Sequence, residues 1–407
     1  MQTIVFIGSN KSGTSRDALI TSTEMGYYTV LLTNRKVFLD QRDEFPEVHR
    51  MEYIDNLLDE EKISTILTDL VQQTKQLCAV ISFIDPFVSF AARLSKKLGL
   101  FQQSVDALTK MEEKTLFRKQ LKDLPVSPFH CVELIKLSID YYVEKYKHYL
   151  PLILKSPVSN GSKDVLLAKT NQDLKEAFKY FKRKFPEMPL LVEEYLCGPQ
   201  YLIEVLVNKG HISLIAVIEQ EISYGERFII TGYSYPALLG TVENGKLQFA
   251  VASIINQLGL INGTCHLEMK LINGEWKLIE INPRMSGGAM NRIILEGTGI
   301  NLVKETLKFF LGEDPILNET FIKHVYAKFI TVNANGRLIK VTGKNRAASH
   351  EGVKEVFVKP RKGAILTKPN SLGDRYAYVI ASADSAEQAK SIAIEAANHI
   401  KFYLEPL

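Results

Sequence analysis

Residues 266–284, HLEMKLINGEWKLIEINPR, carry the strongest structural signal in the chain. Asn273-Gly274 separates two runs rich in apolar residues, which is the clearest short signal for a β-hairpin. Glu280 and Asn282 are two residues apart, so on a strand they face the same side of the sheet. Pairing about the turn places Glu268 opposite Glu280 or close to it. The sequence therefore predicts a patch of sheet on which two carboxylates and an amide oxygen converge.

This patch predicts a magnesium site. Like charges that face each other across strands are destabilising unless a positive charge lies between them. Hard oxygen ligands suit Mg²⁺, which keeps several waters and normally shares its shell with substrate phosphates. Arg284 lies on the same face and could fork onto a phosphate or an acyl oxygen. The alternative is a solvated polar face, but the apolar neighbours favour a packed sheet: Leu267, Met269, Leu278, Ile279 and Ile281.

Two further clusters are compatible with nucleotide binding. Lys155 ends the apolar run PLILK and precedes a small-residue loop at 159–162, whose backbone N–H groups could close over phosphate oxygens. A surface turn is the alternative for that loop. The predicted strand LLVEEYL (190–196) runs into Gly198-Pro199 and could offer backbone groups to the edge of an adenine ring. The alternative there is a hairpin with an acidic edge.

The first hundred residues alternate strand and helix signals, a rhythm typical of an open parallel sheet. Strands are predicted at 3–8, 28–33 and 78–83, and helices at about 16–25 and 87–98. The loop at 8–13 lacks both GxGxxG and GxxxxGK(S/T), so neither a dinucleotide site nor a P-loop is predicted. A plain turn is favoured. Contact with a ligand is the alternative, because ligands usually bind at the carboxyl ends of parallel strands.

The rest of the chain predicts a mixture of helices and hairpins. A charged helix is predicted at 110–122, a hairpin at 200–220, and a last segment of short strands that closes with a helix at 386–403. The pattern of secondary-structure signals changes near residue 106 and again near residue 312. The sequence contains no repeats and no low-complexity tracts.

Composition excludes several classes of protein. The 407 residues are 46% hydrophobic and 24% charged with a net charge of +4, which excludes a disordered chain and indicates two or three globular domains. The balanced charge and the lack of a long apolar run predict neither nucleic-acid nor membrane binding. Four scattered cysteines and an N-terminus that enters a strand directly favour a reduced, cytoplasmic protein without a signal peptide.

In order and spacing, these clusters resemble the ATP-grasp superfamily of carboxylate–amine (or carboxylate–thiol) ligases over nearly the whole chain. The resemblance implies a combined α/β and α+β fold with three parts. These are a Rossmann-like domain at 1–112, a two-lobed ATP-grasp nucleotide-binding region at 113–312, and a small C-terminal lid at 313–407. It also implies ATP and one or two Mg²⁺ (or Mn²⁺) ions as cofactors.

The resemblance further implies roles for single residues. Nucleotide binding is assigned to two lysines, a loop over the phosphates and a hinge beside the adenine: Lys114, Lys155, Ser159, Asn160, Gly161, Ser162, Glu193, Glu194, Tyr195, Leu196 and Gln200. The implied metal ligands are Glu268, Glu280 and Asn282. The catalytic candidates are Arg284, Lys155 and His266, although His266 could equally be a hydrogen-bonded strand residue. The implied substrate-binding residues are Arg284, Ser286, Gly287, Gly288 and Tyr233.

EINPR followed by Ser286-Gly287-Gly288 is similar to one branch of that superfamily. The branch contains L-amino-acid ligases (dipeptide synthetases), glycinamide ribonucleotide synthetase-like enzymes and a carbamoyl-phosphate-synthetase-like group. Two positions depart from its pattern. Gln200 stands where a ribose-binding glutamate is common, and Ile230-Thr231-Gly232-Tyr233 stands where dipeptide ligases have Glu-x-x-His. An acidic anchor for an α-amino group is then missing.

We therefore expect an ATP-dependent ligase that activates a carboxylate as an acyl phosphate and joins it to an amine, for instance an amino acid. Its binding partners would be these small molecules, and the sequence does not decide between a monomer and a homodimer. Two alternatives remain: a bicarbonate-activating enzyme of the same fold, and a catalytically silent nucleotide-binding module. A nicotinamide-dependent oxidoreductase is disfavoured because the first loop lacks the glycine fingerprint.

Overall fold

The computed structural model describes residues 1–73, 75–157, 164–224, 228–369 and 372–407. Within these ranges the chain forms four β-sheets with helices packed against them. None of the helices in the described ranges is long and apolar enough to cross a membrane.

The first sheet is parallel and has the strand order β3-β2-β1-β4. Its elements are Gln2–Ile7 (β1), Thr14–Glu24 (α1), Tyr28–Thr33 (β2), Lys36–Asp40 (α2), Arg50–Tyr53 (β3), Glu60–Gln72 (α3), Gln76–Ile81 (β4) and Val88–Lys97 (α4). The predicted parallel sheet is confirmed, because buried apolar runs such as residues 4–7 fill its centre. The edge strand β3 was not predicted, since its four residues are polar or only partly buried.

Two short helices connect this sheet to the rest of the chain, Val105–Glu112 (α5) and Lys114–Leu121 (α6). The single helix predicted at 110–122 is therefore wrong. Glu113 has an extended backbone (φ −102°, ψ 107°), so the chain breaks between the two helices and Lys114 becomes the first residue of α6. Residue Arg118 follows one helical turn later on the same face.

The second sheet is antiparallel with the strand order β5-β8-β6-β7. Its elements are His130–Glu133 (β5), Ile139–Tyr146 (α7), Leu152–Lys155 (β6), Val165–Ala168 (β7), Asn171–Lys184 (α8) and Leu190–Glu194 (β8). The helices α7 and α8 cover one face through an apolar core that includes Tyr142, Tyr146 and Phe178. Lys155 and Glu193, at the ends of neighbouring strands, are thereby held close together.

The third sheet has eight strands in the order β13-β12-β9-β10-β11-β14-β18-β16. Its first part comprises Gln200–Asn208 (β9), His211–Tyr224 (β10), Phe228–Tyr235 (β11), Thr241–Leu258 (α9), Gly263–Ile272 (β12), Glu275–Asn282 (β13), Met290–Thr298 (α10) and Leu302–Phe310 (α11). The predicted hairpins β9–β10 and β12–β13 are confirmed. Asn273 and Gly274 both have positive φ (50° and 78°), as a tight two-residue turn requires.

The C-terminal segment extends this same sheet and adds a small one of order β17-β15-β19. Its elements are His324–Ile330 (β14), Gly336–Thr342 (β15), Lys344–Ala348 (α12), Val353–Val358 (β16), Ile365–Leu366 (β17), Ala377–Ala383 (β18), Ala386–Ala397 (α13) and Lys401–Glu405 (β19). The helix predicted at 386–403 is thus too long, because α13 ends at Ala397 and the chain pairs with β15 as β19. Short 3₁₀ turns occupy Arg42–Glu44, Lys147–Tyr149 and Leu372–Asp374.

Candidate active site

A cavity of about 470 Å³ lies where the three larger sheets meet. It is lined by loops at the carboxyl ends of β1 and β4, by α6, and by the ends of β6, β8, β12 and β13. Most of the site residues predicted from sequence line it: Lys114, Lys155, Glu193, Glu194, Tyr195, Leu196, Gln200, Glu268, Glu280, Asn282, Arg284, Gly287 and Gly288. Residues that are far apart in sequence are therefore gathered around one space.

The strand pairing predicted for the two glutamates is present in the structure. Glu268 on β12 pairs directly with Glu280 on β13, and Asn282 lies two residues further along the same face. The two carboxylate side chains are 29% and 26% exposed, and what is exposed opens into the cavity. Burial, and then the charge of Glu280, raise the pKa of Glu268. The amide of Gln200 donates to Glu268 Oε2 at 3.2 Å.

This donor set fits a hard divalent cation that completes its shell with phosphate oxygens and water. Among the described residues, no group of three or more His, Cys, Asp or Glu side chains could hold a metal by itself. Two facing carboxylates without a strong counterion between them are destabilising, and a cation would relieve that repulsion. Lys114 Nζ lies 3.6 Å from Glu280 Oε1, at the long end of ion-pair distances.

His266 lies behind this patch, and it is not among the described residues that line the cavity. Its Nδ1 is 2.7 Å from Glu204 Oε1 on β9, and its Nε2 is 3.9 Å from Glu268 Oε1. The Nδ1 contact has ion-pair distance without good hydrogen-bond direction. Burial lowers the pKa of His266, but the carboxylates of Glu204 and Glu268 outweigh it and the net shift is upward. This geometry favours the strand-histidine alternative for His266.

Lys155 is held by a buried ion pair. Its Nζ lies 2.6 Å from Glu193 Oε2, and the other carboxylate oxygen of Glu193 accepts a 2.7 Å bond from Arg118 Nε. Burial alone would raise the pKa of Glu193, but the two cations lower it to about 2. Burial lowers the pKa of Lys155 and the charge of Arg118 lowers it further, while the carboxylate of Glu193 offsets only part of this shift. The side chain of Glu193 therefore holds two cations, and only its backbone remains for the predicted adenine contact.

Lys270 on β12 fixes the predicted hinge. This buried lysine donates from Nζ to the carbonyl oxygen of Leu196 at 2.8 Å and lines the cavity. Burial lowers its pKa. Sequence reasoning missed Lys270, although its place two residues after Glu268 puts it on the same face of the strand.

Arg284 is paired with an acidic residue from the first sheet. Its guanidinium donates through Nε, at 2.8 Å, and through Nη2 to the same oxygen of Asp85, in the loop after β4. It also donates through Nη1 to the carbonyl of Met285 at 3.1 Å. Asp85 was not predicted, although a polar residue at the carboxyl end of a parallel strand is a recognisable signal.

The loop after β1 contacts the segment after β13. Asn10, Ser12, Thr14 and Ser15 line the cavity, so the ligand-facing alternative for this loop is compatible with the structure. Thr14 donates to the carbonyl of Ser286 and accepts from Asn291 at 2.8 Å. The loop is thus fixed at the end of the cavity that lies beside Arg284.

Two further predicted residues, Ser286 and Tyr233, lie away from the cavity lining. The backbone N–H of Ser286 donates to both carboxylate oxygens of Glu204 at 3.3 Å, and the residue is buried. Tyr233 is also buried. Its ring packs edge-on against Phe329, and its hydroxyl accepts a 3.4 Å bond from Arg375. Neither residue is among the described residues that line the cavity. The loop Ser159-Asn160-Gly161-Ser162 lies outside the described residues.

Three family models match consecutive parts of the chain. The ATP-grasp N-terminal domain matches residues 21–100, and the ATP-grasp domain matches residues 148–292. The chain therefore contains an ATP-grasp domain preceded by an ATP-grasp N-terminal domain, and the predicted fold is confirmed. The L-amino acid ligase C-terminal domain 2 matches residues 328–405, which places the chain beside the L-amino acid ligases, the branch that EINPR and its glycines indicated.

Individual proteins are similar at low identity. The uncharacterized protein y4rH of Sinorhizobium fredii is 27% identical over 263 residues, which are 63% of this chain and 54% of that protein. Carnosine synthase 1 of Mus musculus is 25% identical over 278 residues, 63% of this chain and 34% of that protein. The chain thus spans about half, or less, of these relatives. The crystal structure of an L-amino acid ligase from Bacillus licheniformis superposes with a TM-score of 0.81 at 21% identity, covering 100% of this chain and 99% of that one.

Proposed function

We propose that this protein is an ATP-dependent carboxylate–amine ligase. The γ-phosphoryl group of ATP passes to an oxygen of a substrate carboxylate, which yields an acyl phosphate and ADP. A neutral amine then attacks the acyl carbon, phosphate leaves with the bonding electron pair, and the amine loses a proton. The product is an amide, and an amino acid as one of the two substrates agrees with the match to the L-amino acid ligase domain.

One observation carries the proposal: the pairing of Glu268 with Glu280 at the wall of a cavity that also contains Lys155 and Arg284. The carboxylates suit a metal ion, whereas the two cations suit phosphate oxygens. Both kinds of group line the same cavity. Phosphoryl transfer needs both, because catalysis rests on positioning and on neutralising the charge of the transferring group.

We assign the following roles to residues of this chain. Lys155 contacts the nucleotide phosphates, with Lys114 near Glu280 on the same side. Arg284, held by Asp85, faces the substrate carboxylate and the group transferred to it. The hinge at Leu196 is fixed by Lys270 and presents backbone groups to the adenine. Together these residues hold the reactants in one cleft.

Glu268, Glu280 and Asn282 would hold Mg²⁺ or Mn²⁺. When bound, such an ion neutralises phosphate charge and aligns the phosphoryl group for transfer. Among the described residues that line the cavity we assign none as a general base, and none is required when the amine arrives uncharged.

ADP release measured over a matrix of amino acids and small carboxylates tests the proposal, with and without bicarbonate. Ligation predicts ADP release that depends on both an acid and an amine, together with a new amide detected by mass spectrometry. Release that depends on bicarbonate would favour the carboxylase-type alternative. Failure of every pair to release ADP, in a protein that binds ATP, would favour the silent module and overturn the proposal.

A further inference from the structure

Arg118 on α6 is among the largest fully buried side chains in the described part of the protein, with 1% of its side chain exposed. It makes three bonds in three directions. Its Nε donates to Glu193 Oε1 at 2.7 Å, its Nη1 to the carbonyl of Leu278 at 2.8 Å, and its Nη2 to the carbonyl of Ile279 at 2.6 Å. A buried guanidinium is tolerated only when its charge is paired and its N–H groups are satisfied, and both conditions hold here.

The three bonds join the two lobes of the candidate site. Glu193 lies at the end of β8 and holds Lys155 at the end of β6, both in the second sheet. Leu278 and Ile279 lie on β13 in the third sheet, directly before the predicted metal ligand Glu280. Because the guanidinium is planar and rigid, these bonds fix the second sheet relative to β13. Arg118 thereby fixes the separation between Lys155 and Glu280, next to the bond from Lys270 on β12 to the carbonyl of Leu196 after β8.

The charges lead to the same conclusion. Arg118, Lys155 and Glu193 form a buried group with a net charge of +1, and all three residues reach the cavity wall. Arg118 is itself enclosed, so the remaining positive charge is presented by Lys155. If Lys155 were its only partner, the carboxylate of Glu193 could move together with the lysine. Because Glu193 is also bound to Arg118, its position is fixed.

We propose that Arg118 is a positioning residue that sets the distance between the lysine that binds nucleotide phosphates and the carboxylate that binds the metal. This inference rests on the proposed function, since it takes Lys155 and Glu280 as the phosphate and metal contacts. It predicts that Arg118 couples metal binding to nucleotide binding without touching either ligand. A residue that only stabilises the fold would not affect this coupling.

The test measures the affinity for ATP by calorimetry, once with Mg²⁺ and once with a chelator, in the wild type and in Arg118→Met and Arg118→Lys. The ratio of the two affinities reports the coupling. In Arg118→Met we expect MgATP binding to weaken about 10- to 100-fold, the range usual for residues that orient a ligand-binding group. Binding of metal-free ATP should weaken much less. Arg118→Lys should not restore the ratio, because an ammonium group cannot make three diverging bonds at once.

Arg50→Met is the matched control. Arg50 also makes two charged bonds, to Glu52 at 2.8 Å and to Asp69 at 2.9 Å, but it lies on β3 and does not line the cavity. It should alter thermal stability and leave both ATP affinities unchanged. If Arg118→Met does not fold, Arg118→Lys decides the question, because it keeps the charge opposite Glu193.

An unchanged Mg²⁺ dependence in a folded Arg118 variant would overturn the inference, and so would full restoration of the ratio by lysine. Failure of the proposed function looks different. The wild type would then bind MgATP but join no acid to any amine. The ratio of the ATP affinities with and without Mg²⁺ would still show whether Arg118 couples the two ligands.

Discussion

Asp85 and Arg284 form an ion pair that connects the first sheet to the strand carrying the predicted metal ligands. The two residues are 199 positions apart, and both donor contacts from Arg284 go to the same oxygen, Oδ2, of Asp85. The other oxygen of Asp85 is buried and has no hydrogen-bond partner among the described residues. The N-terminal domain therefore contributes directly to the site, because it orients the arginine that the resemblance assigns to the phosphoryl group.

Replacing that acid tests its orienting role. Asp85→Asn keeps the shape of the side chain but removes the charge that holds the guanidinium, so Arg284 should sample other positions. We expect kcat for ADP release to fall about 10- to 100-fold, while the affinity for MgATP changes little, since small displacements of a catalytic group are costly. Steady-state kinetics and calorimetry separate the two effects. Asp69→Asn, which breaks the surface pair with Arg50, is the control. An unaltered kcat in Asp85→Asn would contradict the role.

Much of the site was predictable because it depends on local pattern. The Asn273-Gly274 turn fixes the register of its hairpin up to Met269 and Leu278, which brings Glu268 close to Glu280. A one-residue irregularity at Ile279 then places the two glutamates directly opposite each other, and the sequence did not reveal it. The end of a buried strand likewise places Lys155 at the cavity. Periodicity and turn chemistry are properties of a few neighbouring residues, so a single sequence carries them.

The unpredicted residues depend on contacts between distant segments. Arg118 donates a hydrogen bond to Glu193, which is 75 positions further along the chain. Glu204 lies on β9 and contacts His266 on the neighbouring strand β12. No local pattern encodes which buried charges will meet. The helix break at Glu113 and the short edge strand β3 were missed for another reason, since tertiary packing decided them against weak local preference.

The metal assignment predicts a large effect of one carboxylate and a small effect of its neighbour. Glu280→Gln removes a charged ligand from the patch and should lower ADP release at least about 100-fold, with a raised requirement for Mg²⁺. Glu275→Gln changes the same residue type on the same strand, where the side chain is exposed and pairs with Lys246. This control should behave as the wild type. Equal ADP release by the two variants would refute the metal site.

The buried group of Arg118, Lys155 and Glu193 predicts a loss of stability in acid. The folded-state pKa of Glu193 is lowered from 4.5 to about 2, so its contribution to stability is complete above the unfolded value and disappears as the pH falls towards 2. That contribution is about 3 kcal/mol in the free energy of unfolding. We expect the stability difference between the wild type and Glu193→Gln to narrow by about this amount between pH 4.5 and 2.

Urea unfolding at several pH values measures that difference. Glu60→Gln is the control, because Glu60 also pairs with two cations, Lys97 and Arg93, but on the exposed surface. Its stability difference from the wild type should be small at every pH. If the difference in the free energy of unfolding between the wild type and Glu193→Gln stayed constant between pH 4.5 and 2, the charge of Glu193 would not stabilise the buried group.

The contact between the first loop and the segment after Arg284 predicts a steric effect on activity. Gly13 has φ +81°, and a Cβ there would lie 3.0 Å from the backbone nitrogen of Gly288, which lines the cavity. Gly26 also has a positive φ, +87°, and a Cβ there would meet nothing within 4 Å. Alanine at Gly26 costs about 1 kcal/mol of stability for the positive φ. At Gly13, where ψ is −169°, the backbone conformation is nearly restricted to glycine and alanine costs about 1–3 kcal/mol. Only Gly13→Ala should also displace Gly288, and with it the end of the cavity beside Arg284. We therefore expect both variants to lose thermal stability, Gly13→Ala more than Gly26→Ala, while ADP release falls only in Gly13→Ala. Equal activity of the two variants would mean that the loop after β1 does not shape the site.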